Sequence, residues 1–201
     1  MKKIISLLVC TCMLITLAAC QNKREEDTPS KVTAAFFEAC RTKDLDKIKE
    51  FSKWEDYALK ALDIQESDYI DGVDKKLQKE VYAKMLSFKD EEGKESINGD
   101  SASVQVTLMI YDFTPTVTQG LKEATTKAEE LSRQEDITDA RAQAEINTVI
   151  FKNLNKAKMS LKKEVTIKLV KEDDEWFVTK DNKDFEKIFI DNLQSLNNVG
   201  K

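Results

Sequence analysis

Between Leu86 and Tyr111 the apolar residues change period, and that change limits the chain to a mixed fold. Upstream, Leu77, Val81 and Met85 recur at helical spacing; from Phe88 onward the pattern alternates. Val104, Val106, Leu108 and Ile110 share one face of a strand, while Gln105, Thr107, Met109 and Tyr111 share the other. Asn98-Gly99 precedes that strand and predicts a tight hairpin turn. A second alternation through Val165, Ile167 and Leu169, with Lys168 opposite, runs into Glu172-Asp173-Asp174-Glu175 and returns through Trp176-Phe177-Val178. Both acidic runs, Asp90-Glu91-Glu92 and Glu172 to Glu175, read as exposed hairpin ends. Two hairpins among helical segments predict the α+β class, with an antiparallel sheet of about four strands.

The helices follow from caps and spacing. Thr28 is placed to cap a helix with Pro29 at its first position. Val32, Ala35, Phe36, Ala39 and Cys40 form its apolar face; after a break at Lys43-Asp44 the pattern resumes at Leu45, Ile48 and Phe51. Trp54, Ala58, Ala61 and Leu62 suggest a further short helix, Ser67 to Gly72 a turn region, and Val73 to about Leu86 another helix. Pro115 stops the second strand, and Thr116-Val117-Thr118-Gln119 has capping-box spacing, so a helix is expected after it. From Leu121 to about Met159 the composition predicts one long helix, or a helical hairpin broken between Gln134 and Thr138. Leu121, Ala124, Ala128 and Leu131 are sparse in its first half; Ile146, Val149, Ile150, Phe151 and Leu154 are dense in its second. The second half is therefore expected to pack on the domain and the first to project. Phe185, Ile188, Phe189, Leu193 and Leu196 mark a C-terminal helix with Asp181 as its cap.

Three stretches carry a family likeness: Val32-Thr33-Ala34-Ala35-Phe36-Phe37-Glu38-Ala39, Lys43-Asp44-Leu45-Asp46-Lys47, and the acidic-turn hairpin with Glu175-Trp176. Together they resemble the nuclear-transport-factor-two-like (cystatin-like) α+β domains found in lipoproteins. The resemblance implies a cone-like domain in which N-terminal helices pack over a curved antiparallel sheet. It also implies a concave pocket, whose walls would be Trp54, Tyr57, Tyr111, Phe113 and Trp176, with Tyr69 nearby. The alternative is that these aromatics fill the cone. Sheet-face homodimers are common in such folds, so a homodimer is one expected assembly. The helical insert at about 116–160 and the C-terminal helix depart from the pattern. The insert reads equally as a partner-binding arm or as a cover for the sheet.

The N-terminus sets location. Lys2 and Lys3 precede an uncharged apolar run of 16 residues, Ile4 to Ala19. That is short of the roughly 20 residues a spanning helix needs, and it has the layout of a secretory signal. Leu17-Ala18-Ala19-Cys20 at its end resembles the lipobox of bacterial lipoproteins. The resemblance implies a signal peptide over 1–19, a lipidated Cys20, a tether over 20–29 and one domain over 30–201. The membrane would then be a partner through the Cys20 lipid, with the domain on the extracytoplasmic face.

Composition narrows the chemistry. The net charge is −5, and −7 once Lys2 and Lys3 leave with the signal, which argues against nucleic acid or an anionic surface as the main partner. There is no histidine, which removes Ser-His-Asp and Cys-His nucleophile systems and His-ligated zinc. With Cys10 and Cys12 in the signal and Cys20 lipidated, Cys40 remains alone, and its apolar helix face makes it a core thiol. Asp68, Asp71, Gly72 and Asp74 lack the oxygen spacing of a calcium loop and read as a solvated helix-capping loop. No catalytic residue, metal ligand or cofactor motif stands out. The expected function is non-catalytic binding of a small molecule or an envelope protein. The alternatives are an isomerase- or lyase-like enzyme using a buried carboxylate, and a structural envelope adaptor. Cells fed a clickable palmitate analogue are expected to label the wild-type chain and not a Cys20→Ser variant; equal labelling of both would remove the anchor.

Overall fold

The computed structural model describes residues 27–54, 62 and 64–189. Cys20, the tether before Asp27, Ala58 and Ala61 of the short helix expected from Trp54 to Leu62, and Leu193 and Leu196 lie outside these residues. Helix α1 (Pro29–Thr42) starts as its sequence dictates: the Thr28 hydroxyl accepts the Lys31 N–H at 3.3 Å, and Pro29 opens the first turn. It ends at Lys43, whose φ of 57° reverses the chain, and Asp44 then caps α2 (Leu45–Phe51) by accepting the Lys47 N–H. A short 3-10 turn, Glu66–Asp68, leads into α3 (Lys75–Met85), capped by Asp74. Gln78 of α3 is fully buried and spends its amide on the Ile70 N–H and the Ile70 and Val73 carbonyls, pinning that loop.

Strands β1 (Phe88–Asn98) and β2 (Ser101–Asp112) form the first hairpin, with Gly99 at φ 59° in the two-residue turn. Helices α4 (Thr114–Leu131) and α5 (Asp139–Leu154) follow, then β3 (Lys158–Glu172) and β4 (Glu175–Val178). A last helix, α6, covers 183–189. The sheet order is β1-β2-β3-β4, antiparallel throughout, and the sheet curls into a half-barrel. The α+β expectation, with four curved strands, N-terminal helices, a helical insert and a C-terminal helix, is what the structure shows.

The concave face carries the main apolar cluster. Val104, Val106, Leu108 and Ile110 of β2 and Val165, Ile167 and Leu169 of β3 meet Val32, Phe36, Phe37 and Cys40 of α1 there. Phe185 of α6 enters this space, with its ring centroid 5.0–5.7 Å from those of Phe36, Phe37, Trp54, Phe88 and Phe189. A second apolar cluster joins α3 to the insert through Val81, Tyr82, Met85, Ile150, Phe151 and Leu154.

Several sequence expectations shift by local chemistry. Helix α4 begins at Thr114, with Pro115 in its first turn, so the Thr116–Gln119 capping box does not form; the Thr114 N–H is met by Asp112 instead. The first half of the insert does not project: α4 lies against α5, with Gly120, Ala124 and Leu131 buried, although Leu121 points outward. Asp90-Glu91-Glu92 is not a hairpin end. It lies inside β1, beside a bulge between Glu91 and Lys94. A Cβ on Gly93 there would sit 2.3 Å from the Gln105 carbonyl oxygen, so the bulge needs glycine. Strand β3 begins at Lys158, well before the alternation at Val165, because backbone pairing to β2 sustains it where both faces are exposed. The residue before α6 is Asn182, not Asp181: its carbonyl accepts helical N–H groups, while its side chain holds Lys168 and Thr179.

Phe185→Ala is expected to cost about 3–5 kcal/mol in chemical denaturation, because it empties the site that five other rings surround. A loss under about 1 kcal/mol would mean the concave side is not packed around it.

Candidate functional site

The expected pocket residues are divided between two cores. Trp54 and Trp176 belong to the concave cluster, Trp54 edge-on to Phe36 at 5.0 Å. Tyr111 and Phe113 belong to the α3–insert cluster, their centroids 6.3 Å apart, and Tyr69 stacks on Tyr82 in the same region. Tyr57 lies outside the described residues. The structure thus gives these aromatics packing partners and does not bring them together around one concavity. Among the described residues Glu186 is the one buried carboxylate, and it stands on α6.

Two surface clefts are formed by the described residues. The smaller, about 340 Å³, lies between α1 and the bulged part of β1, with Ser30, Lys31, Asp90 and Glu91 at its rim. Its floor of Phe37, Val104 and Val106 is at most 5% exposed, so only the rim is offered to a ligand. The Glu95 carboxylate accepts the Ser30 N–H at 2.8 Å and closes one end.

The larger cleft, about 470 Å³, runs over the helical insert. Arg141, Glu145, Thr148 and Lys152 follow one another along one side of α5, and Lys127 faces them from α4. Lys127 Nζ lies 2.9 Å from the Glu145 carboxylate, and Arg141 Nε lies 3.4 Å from it. The Lys127 bond in particular holds the Glu145 carboxyl below its ordinary range. The Glu145 carboxylate therefore pairs with two cations, and Lys152, which also lines the cleft, makes no ion pair among the described residues. The backbone here is shaped closely. Gly72, at φ 77°, approaches α5 so nearly that a Cβ would lie 2.4 Å from that of Ala144.

The α4–α5 seam beneath the cleft is polar and tight. Asn153, nearly fully buried, donates to Glu123 of α4 at 2.7 Å and to the Val149 carbonyl at 3.0 Å. Those bonds, from Asn153 first and Gln119 second, hold the Glu123 carboxyl below its usual range. Gly120 leaves room for the approach, since a Cβ there would be 3.2 Å from that of Asn153. The two helices are thereby fixed as a pair. This site escaped the sequence reading, although Arg141, Glu145, Thr148 and Lys152 at helical spacing carry the signal.

The remaining candidates serve structure. Asp74 accepts the Leu77 N–H and Asp68 accepts the Gln65 N–H, so both carboxylates are used in capping and turning the loop. Among the described residues no cluster of three or more Cys, Asp or Glu could hold a metal ion. No helix of these residues is long and apolar enough to cross a membrane.

No family model matches the sequence, and no curated protein matches it. Among solved structures, a "putative lipoprotein (ycdA)" from Bacillus subtilis subsp. subtilis str. 168 is similar over 82% of this chain, at 17% identity and a TM-score of 0.40. The matched part is 47% of that chain, so this protein spans about half the neighbour's length. The likeness is too loose to carry a function from one protein to the other.

Cys40 is 3% exposed, and burial pushes its thiol far above the ordinary range, with Arg41 opposing only in part. Folded protein is therefore expected to leave Cys40 unmodified by iodoacetamide until denaturant is added, as peptide mass mapping would show. Rapid labelling in the native state would contradict the inert-core reading.

Proposed function

We propose that the protein is a lipid-anchored, non-catalytic binding protein of the extracytoplasmic membrane face, which recognises an anionic group on an envelope partner through the helical insert. The anchor rests on the Leu17–Cys20 run and on the apolar segment before it. The binding surface rests on a single contrast. The concave side, where this kind of domain would hold a small ligand, is occupied by Phe185 and its aromatic neighbours, whereas the insert presents an open cleft lined by three cations and one carboxylate.

Charge supports that assignment. The chain as a whole is acidic, so a locally cationic cleft attracts an anion against a background that repels it elsewhere, which favours selectivity of site over breadth of surface. An exposed cation adds little by itself, but three lining one cleft add to one local potential. An enzymatic role would call for a carboxylate base inside the cone, and the concave strand residues Val104, Val106, Leu108 and Ile110 are apolar.

A photo-crosslinking residue placed at Thr148 in the membrane-anchored chain is expected to capture a defined envelope component. A probe at Leu121, which is exposed away from the cleft, is expected not to. Arg141→Glu with Lys152→Glu should reduce the Thr148 adduct about tenfold or more, with no change in thermal stability beyond about 0.5 kcal/mol. Equal capture at both probe positions, or capture indifferent to the charge reversal, would defeat the assignment.

A further inference from the structure

The sheet has an open edge whose charge pattern is complementary to itself. Strand β4 pairs with only Leu169–Glu172 of β3, and beyond that point the Asn182 side chain and the Thr179 N–H satisfy the backbone of Lys168. From Met159 to Ile167 the β2 side of β3 is paired, and no strand among the described residues pairs with the other side. Ser160, Leu161, Lys162, Lys163 and Glu164 are all exposed, with Leu161 36% exposed despite its size. Because Lys168 turns its N–H and C=O to this edge, the two-residue period directs those of Thr166, Glu164 and Lys162 the same way. An unpaired row of this kind is a template for another strand.

We infer that two copies of this chain pair antiparallel through this edge, about a two-fold axis at Lys163, and so join their four-stranded sheets into one. The register is decided by hydrogen bonding and charge. Edge-facing residues must meet edge-facing residues, which excludes slips of one residue. With Lys163 on the axis, Lys162 of each copy faces Glu164 of the other, and Leu161 faces Val165. Moving the register by two residues sets Lys162 against Lys162 or Glu164 against Glu164. Glu164 makes no ion pair among the described residues, and Lys162 has only the exposed Glu91, at 2.8 Å, so both remain open to a partner strand. The one unfavourable contact is Lys163 beside its own copy, and it limits the affinity. The contact is small, as expected of a reversible dimer rather than an obligate one. This inference is independent of the cleft on the insert, and it uses the sheet edge where the family likeness implies sheet faces.

The test is a charge exchange on the full-length chain in detergent micelles, read by sedimentation velocity across a dilution series. Wild type is expected to form a dimer in equilibrium with monomer. Lys162→Glu and Glu164→Lys each place two like-charge pairs in the interface, and each should weaken association by about tenfold or more. Mixed together, these two variants face each other with opposite charges at both 162–164 pairs and should recover the dimer, while Lys163→Val should tighten it. The substitutions lie on an exposed edge, so each variant should keep the wild-type melting temperature. Monomer at every wild-type dilution would overturn the inference. So would a mixture no more associated than its components, or binding only to an added acidic peptide and not to a second copy.

Discussion

The fold depends on closing a curved sheet that would otherwise leave its concave face wet. Alternation in β2 and β3 puts seven aliphatic side chains on that face, but a half-barrel has more concave surface than one helix can cover. Helix α1 supplies Phe36 and Phe37, and α6 brings Phe185 and Phe189 in beside them. Phe185 touches rings from α1, β1 and the segment after α2, so it ties together parts of the chain about 100 to 150 residues apart. Its position is set by polar chemistry. The Asn182 side chain takes the place of a missing strand beside Lys168, while its carbonyl starts the helix that carries Phe185. One residue thus finishes the sheet edge and aims the plug, which is why the cap falls at Asn182 and not at the more exposed Asp181.

Filling the cone moves the functional question elsewhere. A curved-sheet scaffold can hold a pocket or do without one, and the site decides its role. Here the insert builds a second apolar cluster with α3 and so becomes part of the body of the domain. That anchoring matters for recognition. A polar helical hairpin standing alone would need ordering on contact, whereas α4 and α5 are already fixed by the Gly120 contact and by the Asn153–Glu123 bond. The backbone of the cationic cleft is consequently held by the helix pair, and Lys127, Arg141 and Lys152 line it as long side chains.

The two faces of β3 illustrate what a pattern can and cannot carry. From Val165 onward alternation marks a strand with a buried face, and the structure agrees. From Lys158 to Glu164 both faces meet solvent, so side-chain pattern vanishes although the backbone pairing with β2 continues. The Gly93 bulge is similar. A glycine among acidic residues looks like a turn, but its reason is the Gln105 carbonyl, which belongs to the other strand.

By itself the sequence determined the class of the fold, the α1 and α3 caps, both hairpins and the core character of Cys40, and it left the insert open between one helix and two. All of these follow from interactions a few residues apart or from a period that reports burial directly. Tertiary structure alone decided that the aromatics Trp54, Trp176, Tyr111 and Phe113 separate into two cores, that Phe185 occupies the cone, and that Lys127 meets Glu145 across two helices. Those outcomes depend on which surfaces remain uncovered after the sheet curls, and that is a property of the assembled chain rather than of any stretch within it.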